Sequence, residues 1–511
     1  MSQLSIWDYL VIGTYLAGVL SLGLVFSGRQ TSLKEYFLAS GALPWWAISL
    51  SLYATSLSPI SFLGVCGWIY QKDSRLFFGS TLLVLITLPL AALLWVPLWD
   101  RLRPVSIYEY LERRFHPGLR TFGAVLFPLQ MIFWLGNGLV AAAAAFKTVT
   151  GLPVEVCLFG IVILGTAYTV LGGSRAVIWT DVAQAIVFLF GFLVIGLLLL
   201  QYFDWEPAKI YHIASSVESA EGYPKTQLFS TEFSLNVEAT IWAILLFKFV
   251  ELLMFGTNQI NIQRLLATGT KRNMFKALIG LAGVEVIFML LAMSVAWGFI
   301  AYYNENPGEA ARIIQADEVM AHYIVGHMPN LVRGLIMAGL LAAMMSTFDS
   351  ALNSMSSITI CDFYQRFFVR NASDRHYVLS SRWATIGWGI LVLLFALWQS
   401  RHSDATVFER VGKLNLLLVP MTAIFFILGV FTKRCNTPGV LIGAATSVGL
   451  ALSFSGFPGL MEPLVDPEAF AINWVWLDGL CTVTGLLVGY VASCLFPEPG
   501  EDKLEGLTLY A

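Results

Sequence analysis

Thirteen apolar runs, each about 20 residues or longer, decide what this chain can fold into, because that is the helix length that crosses a hydrocarbon core roughly 30 Å thick. They begin near Ile6, Ser40, Phe77, Thr121, Pro153, Val177, Ala239, Phe275, Leu331, Tyr377, Val411, Pro438 and Trp474. Lipid offers backbone N–H and C=O groups no partner, so runs of this length must satisfy themselves as helices. With 511 residues, 57% hydrophobic and 12% charged, and a mean hydropathy of +0.73, the chain reads as an all-α polytopic membrane protein. The first run is not a cleaved signal: Met1 to Trp7 carries no basic residue, and no small-residue cleavage site follows.

The placement of the cations orients the spans. Connections counted alternately from the first, together with the tail, carry 19 Lys and Arg, against 10 on the opposite set; Lys248 alone lies inside a span. The positive-inside rule then puts the N-terminus outside and the C-terminus in the cytoplasm of a cell membrane. Several function classes drop out. The six cysteines are scattered without metal-ligand spacing, and the six histidines fall in connections or at span edges, so neither a disulfide frame nor a metal centre is indicated. No phosphate-cradling GxxxxGK[ST] loop occurs, which argues against ATP-driven pumping.

Two spans interrupt themselves. In Ala54-Thr55-Ser56-Leu57-Ser58-Pro59-Ile60-Ser61, Pro59 has no N–H for the carbonyl of Thr55, and Ser58 before it is pushed away from helical backbone. Carbonyls near Ala54 and Leu57 are freed. At membrane depth such backbone survives where it is buried in protein or faces a wet cavity, and a desolvated cation is a natural partner; a proline kink closed by water or serine hydroxyls is the competing account. The run from Ala239 to Gln263 loses its apolar character at Phe255-Gly256-Thr257-Asn258-Gln259. Four plain spans separate the two breaks and four follow the second, so two five-span units each begin with a broken helix. That is the signature of an inverted-repeat secondary transporter.

Charged and hydroxyl groups inside spans are costly, which makes each a candidate. Asp181 could offer a hard oxygen to a cation, or could cap the start of its helix. The run Ala342 to Ser354 is dense in hydroxyls; Ser346 and Thr347 with the carbonyl of Ala343 complement the freed carbonyls of Ala54 and Leu57, giving five neutral oxygens that suit a small hard cation. Close helix packing by small residues is the alternative. Lys248 and Glu251 share a face of the second broken helix, either as a structural ion pair or with Glu251 lining a solute cavity. Glu285 has no partner evident in sequence.

These residues resemble the sodium:solute symporter family over essentially the whole chain. The likeness is carried by the AVIWTD segment ending at Asp181, by Asn258 to Ala267, by Met345-Ser346-Thr347 with Asp349 to Ser354, and by Cys361 to Arg366. The resemblance implies a LeuT-like fold: an extra N-terminal helix over 6–27, inverted repeats over 40–202 and 239–434, two C-terminal helices over 438–496, and a tail over 497–511. It implies a sodium site on Ala54, Leu57, Ala343, Ser346 and Thr347, with Asp181 on the sodium path or at a second sodium. Two-sodium members carry a further hydroxyl where this chain has Ala343.

For the solute the resemblance points to Ser56, Ser58, Ser61, Ser80, Gln130, Lys248, Glu251 and Asn258, and the departures inform most. Galactose carriers have amides and an acid where Ser56, Ser61 and Ser80 stand, and the acid of proline carriers corresponds to Ser56. Sialic acid carriers place an arginine near Gln130 where this chain has Trp134 or a neighbour, which disfavours sialic acid. The expectation is a non-enzymatic, sodium-coupled importer of a small polar organic solute (a sugar, sugar acid or small carboxylate), working as a monomer in the bilayer with sodium as coupling ion, no organic cofactor and no nucleic acid. A proton-coupled carrier titrating Asp181 or Glu251, or a transporter-like sensor, are the rivals.

Overall fold

The computed structural model describes residues 4–26, 30–57, 59–237, 239–313, 316–402, 405–456, 463–465 and 472–509. Regular structure among them is helical apart from one isolated bridge between Glu218 and Pro224. Every one of the thirteen apolar runs has a helical counterpart: α1 (Ile6–Phe26), α2 (Trp45–Ser56) with α3 (Pro59–Gln71), α4 (Arg75–Leu102), α5 (Pro117–Thr150), α6 (Val154–Tyr202), α7 (Ile241–Met254) with α8 (Gln259–Leu266), α9 (Lys271–Glu305), α10 (Val332–Ile358), α11 (Asp374–Arg401), α12 (Ala405–Phe431), α13 (Thr437–Ser455) and α14 (Trp474–Ser493).

The 49-residue α6 is two spans joined by a corner at Gly173, whose φ of 57° and ψ of −158° leave the helical region. A Cβ there would stand 2.7 Å from the carbonyl oxygen of Tyr36, so both the turn and the close approach require glycine. The span read as starting at Ser40 starts at Trp45. Leu33–Gly41 lies before it at 114°, and Pro44, extended at φ −70° and ψ 143°, marks the bend.

Both interruptions are present. α2 ends at Ser56, Leu57 is extended at φ −83° and ψ 119°, and α3 opens on Pro59, where a missing N–H costs nothing. The second break is a short 3₁₀ turn, Phe255–Thr257, then extended Asn258, with a 60° bend across it. Two indoles meet carbonyls of this turn region: Trp95 Nε1 donates to Leu252 at 3.3 Å and Trp99 Nε1 to Gly256 at 3.0 Å. This is how a helix can break at membrane depth without stranding its backbone.

Helix α10 is the axis of the bundle. Of its most apolar stretch 94% is buried inside the protein, against 17% for α1; it continues as wider π turns over Thr359–Phe368 and lies against α6, α5 and α2. α1 is tied to the start of α10 by Asp8. Its Oδ1 accepts from the N–H of Leu331 at 2.9 Å and of Gly334 at 3.0 Å, and Arg333 approaches its carboxylate at 3.4 Å.

Candidate sodium and solute sites at the broken helices

Where α2 ends, α10 presents its hydroxyls. Ser346 Oγ lies 2.8 Å from the carbonyl oxygen of Ala54 and 3.1 Å from that of Ala343. Thr347 Oγ1 lies 3.0 Å from the carbonyl of Leu57 and 3.2 Å from those of Thr55 and Ala343. Two hydroxyls have two protons to give, yet they make five such contacts. The two contacts to Ala343 are bonds back to the previous turn, so the protons are shared, and the carbonyls of Ala54, Thr55 and Leu57 keep lone pairs that a small cation could take. Every ligand is neutral, which suits a monovalent cation rather than a divalent one, whose sites lean on carboxylates. The five sequence candidates thus come together, with Thr55 added.

Asp181 is no interfacial cap: it is fully buried, with Arg264 of α8 donating from Nη2 to its Oδ2 at 3.0 Å. Ser51 of α2 donates to the same oxygen at 2.5 Å and accepts from Arg264 Nε at 2.8 Å. Arg264 also reaches Ser350, which stands 3.1 Å from Thr55 Oγ1 and donates to Asp349 at 3.0 Å. Tyr168 donates to the other oxygen of Asp349 at 2.6 Å. One guanidinium thus serves two fully buried carboxylates, and a hydrogen-bonded chain runs from Asp181 to the cage. Sequence reasoning missed Arg264, counted only as a marker of orientation, and passed over Asp349 among its hydroxyl neighbours.

Two cavities flank the second break and share Glu251, Phe255 and Asn261. One, of about 100 Å³, is lined by Ser56, Thr87 and Glu285 as well; the other, of about 170 Å³, by Tyr108, Gln130, Thr257 and Asn258. Asn258 is also the cap of α8, its Oδ1 accepting from Ile260 N at 2.8 Å. The Ser56 hydroxyl donates to Tyr53 O at 2.7 Å. Lys248 is buried and donates to Glu251 at 2.6 Å. Ser80 lines neither cavity; Thr87, two turns on along α4, does. Trp134 is 46% exposed on the outside of the bundle. Ser58 and the side chain of Ser61 lie outside the described residues.

A bundle built round two broken helices, with a cluster of carbonyl and hydroxyl oxygens at one and cavities beside the other, is a secondary transporter of the LeuT-like fold. The chain belongs to the sodium:solute symporter family, which matches residues 36–447. It is 28% identical over 507 residues to the sodium/sialic acid symporter of Aliivibrio fischeri, covering 98% of this chain and 96% of the relative, and 29% identical to the human sodium/iodide cotransporter, covering 96% and 83%. The substrate-bound, outward-open structure of a Na⁺-coupled sialic acid symporter superposes with a TM-score of 0.85 at 26% identity, over 97% of this chain and 99% of the other. The protein is a multi-pass membrane carrier that couples solute import to sodium, not an enzyme.

Proposed function

We propose that sodium binds to the carbonyls of Ala54, Leu57 and Ala343 and the hydroxyls of Ser346 and Thr347, and that the solute occupies the cavity beside Ser56 and Glu251. The observation that carries the reading is the convergence of the carbonyls freed at the first break on the Ser346 and Thr347 hydroxyls. Sodium there joins α2 to α10 and orders the freed backbone, so the solute meets a formed cavity; by linkage the solute tightens sodium by the same factor. Asp181, tied to the cage through Arg264, Ser350 and Thr55, lies on the sodium path. The excess of cations on one set of connections supports a plasma-membrane protein with its N-terminus outside and its C-terminus in the cytoplasm. The repeats run over 40–202 and 239–434, and the carrier works as a monomer.

The solute does not follow from kinship: relatives of near-equal identity are carriers of a sugar acid and of an inorganic anion. A small polar organic solute fits the mixed wall of the cavity. The sodium assignment is tested by replacing Ser346 and Thr347 with Ala. A contact to a charged group is worth about 1.5–3 kcal/mol, so each loss should raise the sodium concentration for half-maximal uptake by about 10- to 100-fold. Unchanged sodium dependence in a well-expressed double variant would refute the site.

A further inference from the structure

Among the described residues, the wall of the cavity beside the sodium cage carries two carboxylates, Glu251 and Glu285, and no cation. The nearest ammonium, Lys248, stands behind Glu251 and gives it a hydrogen bond at 2.6 Å; its influence extends to Glu285, but no hydrogen bond joins the two among the described residues. Glu285 lies deep in the protein, and its partial exposure is to the cavity it lines. A carboxylate at membrane depth without a hydrogen bond is costly to ionise, and a cationic group brought beside it would stabilise the ionised form. The trio has one ammonium for two carboxylates, so a cation entering the cavity finds a pairing partner in Glu285 where a carboxylate solute finds none. Phe255 adds a ring face to the same wall, and ring faces attract cationic nitrogen.

We propose that the transported solute bears a cationic nitrogen, a protonated amine or a quaternary ammonium, which docks against Glu285. The Ser56, Thr87 and Asn261 side chains on the same wall would take its polar remainder. The open volume holds on the order of seven waters, which limits the solute to a small molecule. This rests on the assignment of the cavity as the solute site, and it narrows the polar-solute reading by turning away from sugar acids and small carboxylates.

The test is current on solid-supported membranes from proteoliposomes of the full chain, in sodium and in sodium-free buffer. The probes are ethanolamine, glycine betaine and glucosamine, set against ethylene glycol, glucose and gluconate. At least one nitrogen cation should give a sodium-dependent current at a concentration tenfold or more below that of the uncharged and anionic probes. Glu285→Gln should weaken that probe at least tenfold, and Glu285→Asp should recover part of the loss. Sodium binding without solute, read by thermal shift, should stay within twofold in Glu285→Gln, since among the described residues no hydrogen bond joins Glu285 to the cage. Silence from all three nitrogen cations, an equal response to glucose or gluconate, or indifference to Glu285→Gln each overturns the proposal. Nitrogen-cation currents that persist unchanged without sodium would instead remove the sodium site proposed above and leave this inference standing.

Discussion

At the scale of single residues, what sequence could reveal was whatever is expensive or unusual in its own helix. Asp181 stood out because a carboxylate in a span has to be answered, and Ser346 and Thr347 because hydroxyls crowd their turn. Arg264 was invisible for the opposite reason. A cation near the end of a span looks like an anchor, and its role exists only through Asp181, which is 83 residues away, and Ser51, which is 213 away. That role sets up a sharp expectation. Removing one partner of a buried pair costs about 3–5 kcal/mol, because the remaining charge is left buried, and here Asp181 would keep Ser51 but lose its cation. Arg264→Gln should therefore lower the apparent melting temperature clearly. Arg264→Lys keeps the charge but loses the fork that spans Ser51, Asp181 and Ser350, so it should fall between. If the Gln variant melts with the wild type, the guanidinium is not what balances the cluster.

At the scale of elements, hydropathy was sufficient to find the spans, since length and apolarity are local properties, and Pro59 located the first break by its covalent chemistry alone. The start of that span at Trp45 rather than Ser40 escaped notice because Ser40 to Pro44 carries no charge, and only Pro44 and the 114° bend separate 33–41 from α2. The contribution of α1 was also hidden. It read as a supernumerary helix, yet Asp8 caps α10, the helix that carries Ala343, Ser346 and Thr347, through the N–H groups of Leu331 and Gly334. Capping residues replaced by Ala cost about 0.5–2 kcal/mol. Asp8→Ala should accordingly lower stability by about that much and, by loosening the N-terminal end of α10, raise the sodium concentration for half-maximal uptake. Asp8→Asn retains a cap oxygen and should lie near the wild type in sodium dependence. A sodium dependence identical in Asp8→Ala and wild type would confine α1 to a packing role.

At the scale of the whole molecule, the energetics of the cycle depend on how much charge crosses the membrane, and the two proposals together fix that number. One sodium ion moving inward through 100 mV gains roughly 2.3 kcal/mol, which is about a 50-fold accumulation of solute. The cage has ligands for one such ion, and its oxygens are neutral, so the ion's charge moves uncompensated. A zwitterion such as glycine betaine adds nothing to it. Ethanolamine adds one more positive charge, and the same 100 mV then supports about 2,500-fold. Uptake of the responding probe by proteoliposomes, with the potential clamped by potassium and valinomycin across a series of values, reads the charge directly as the slope of log accumulation against voltage. One unit of charge is expected for a zwitterion and two for a monocation, with equal sodium concentrations on both sides. A slope of zero for a zwitterion would mean that a second, outward charge travels with the sodium ion. The return of Arg264 or of a proton on Asp181 and Asp349 would then be the place to look, since those are the charges joined by hydrogen bonds to the cage.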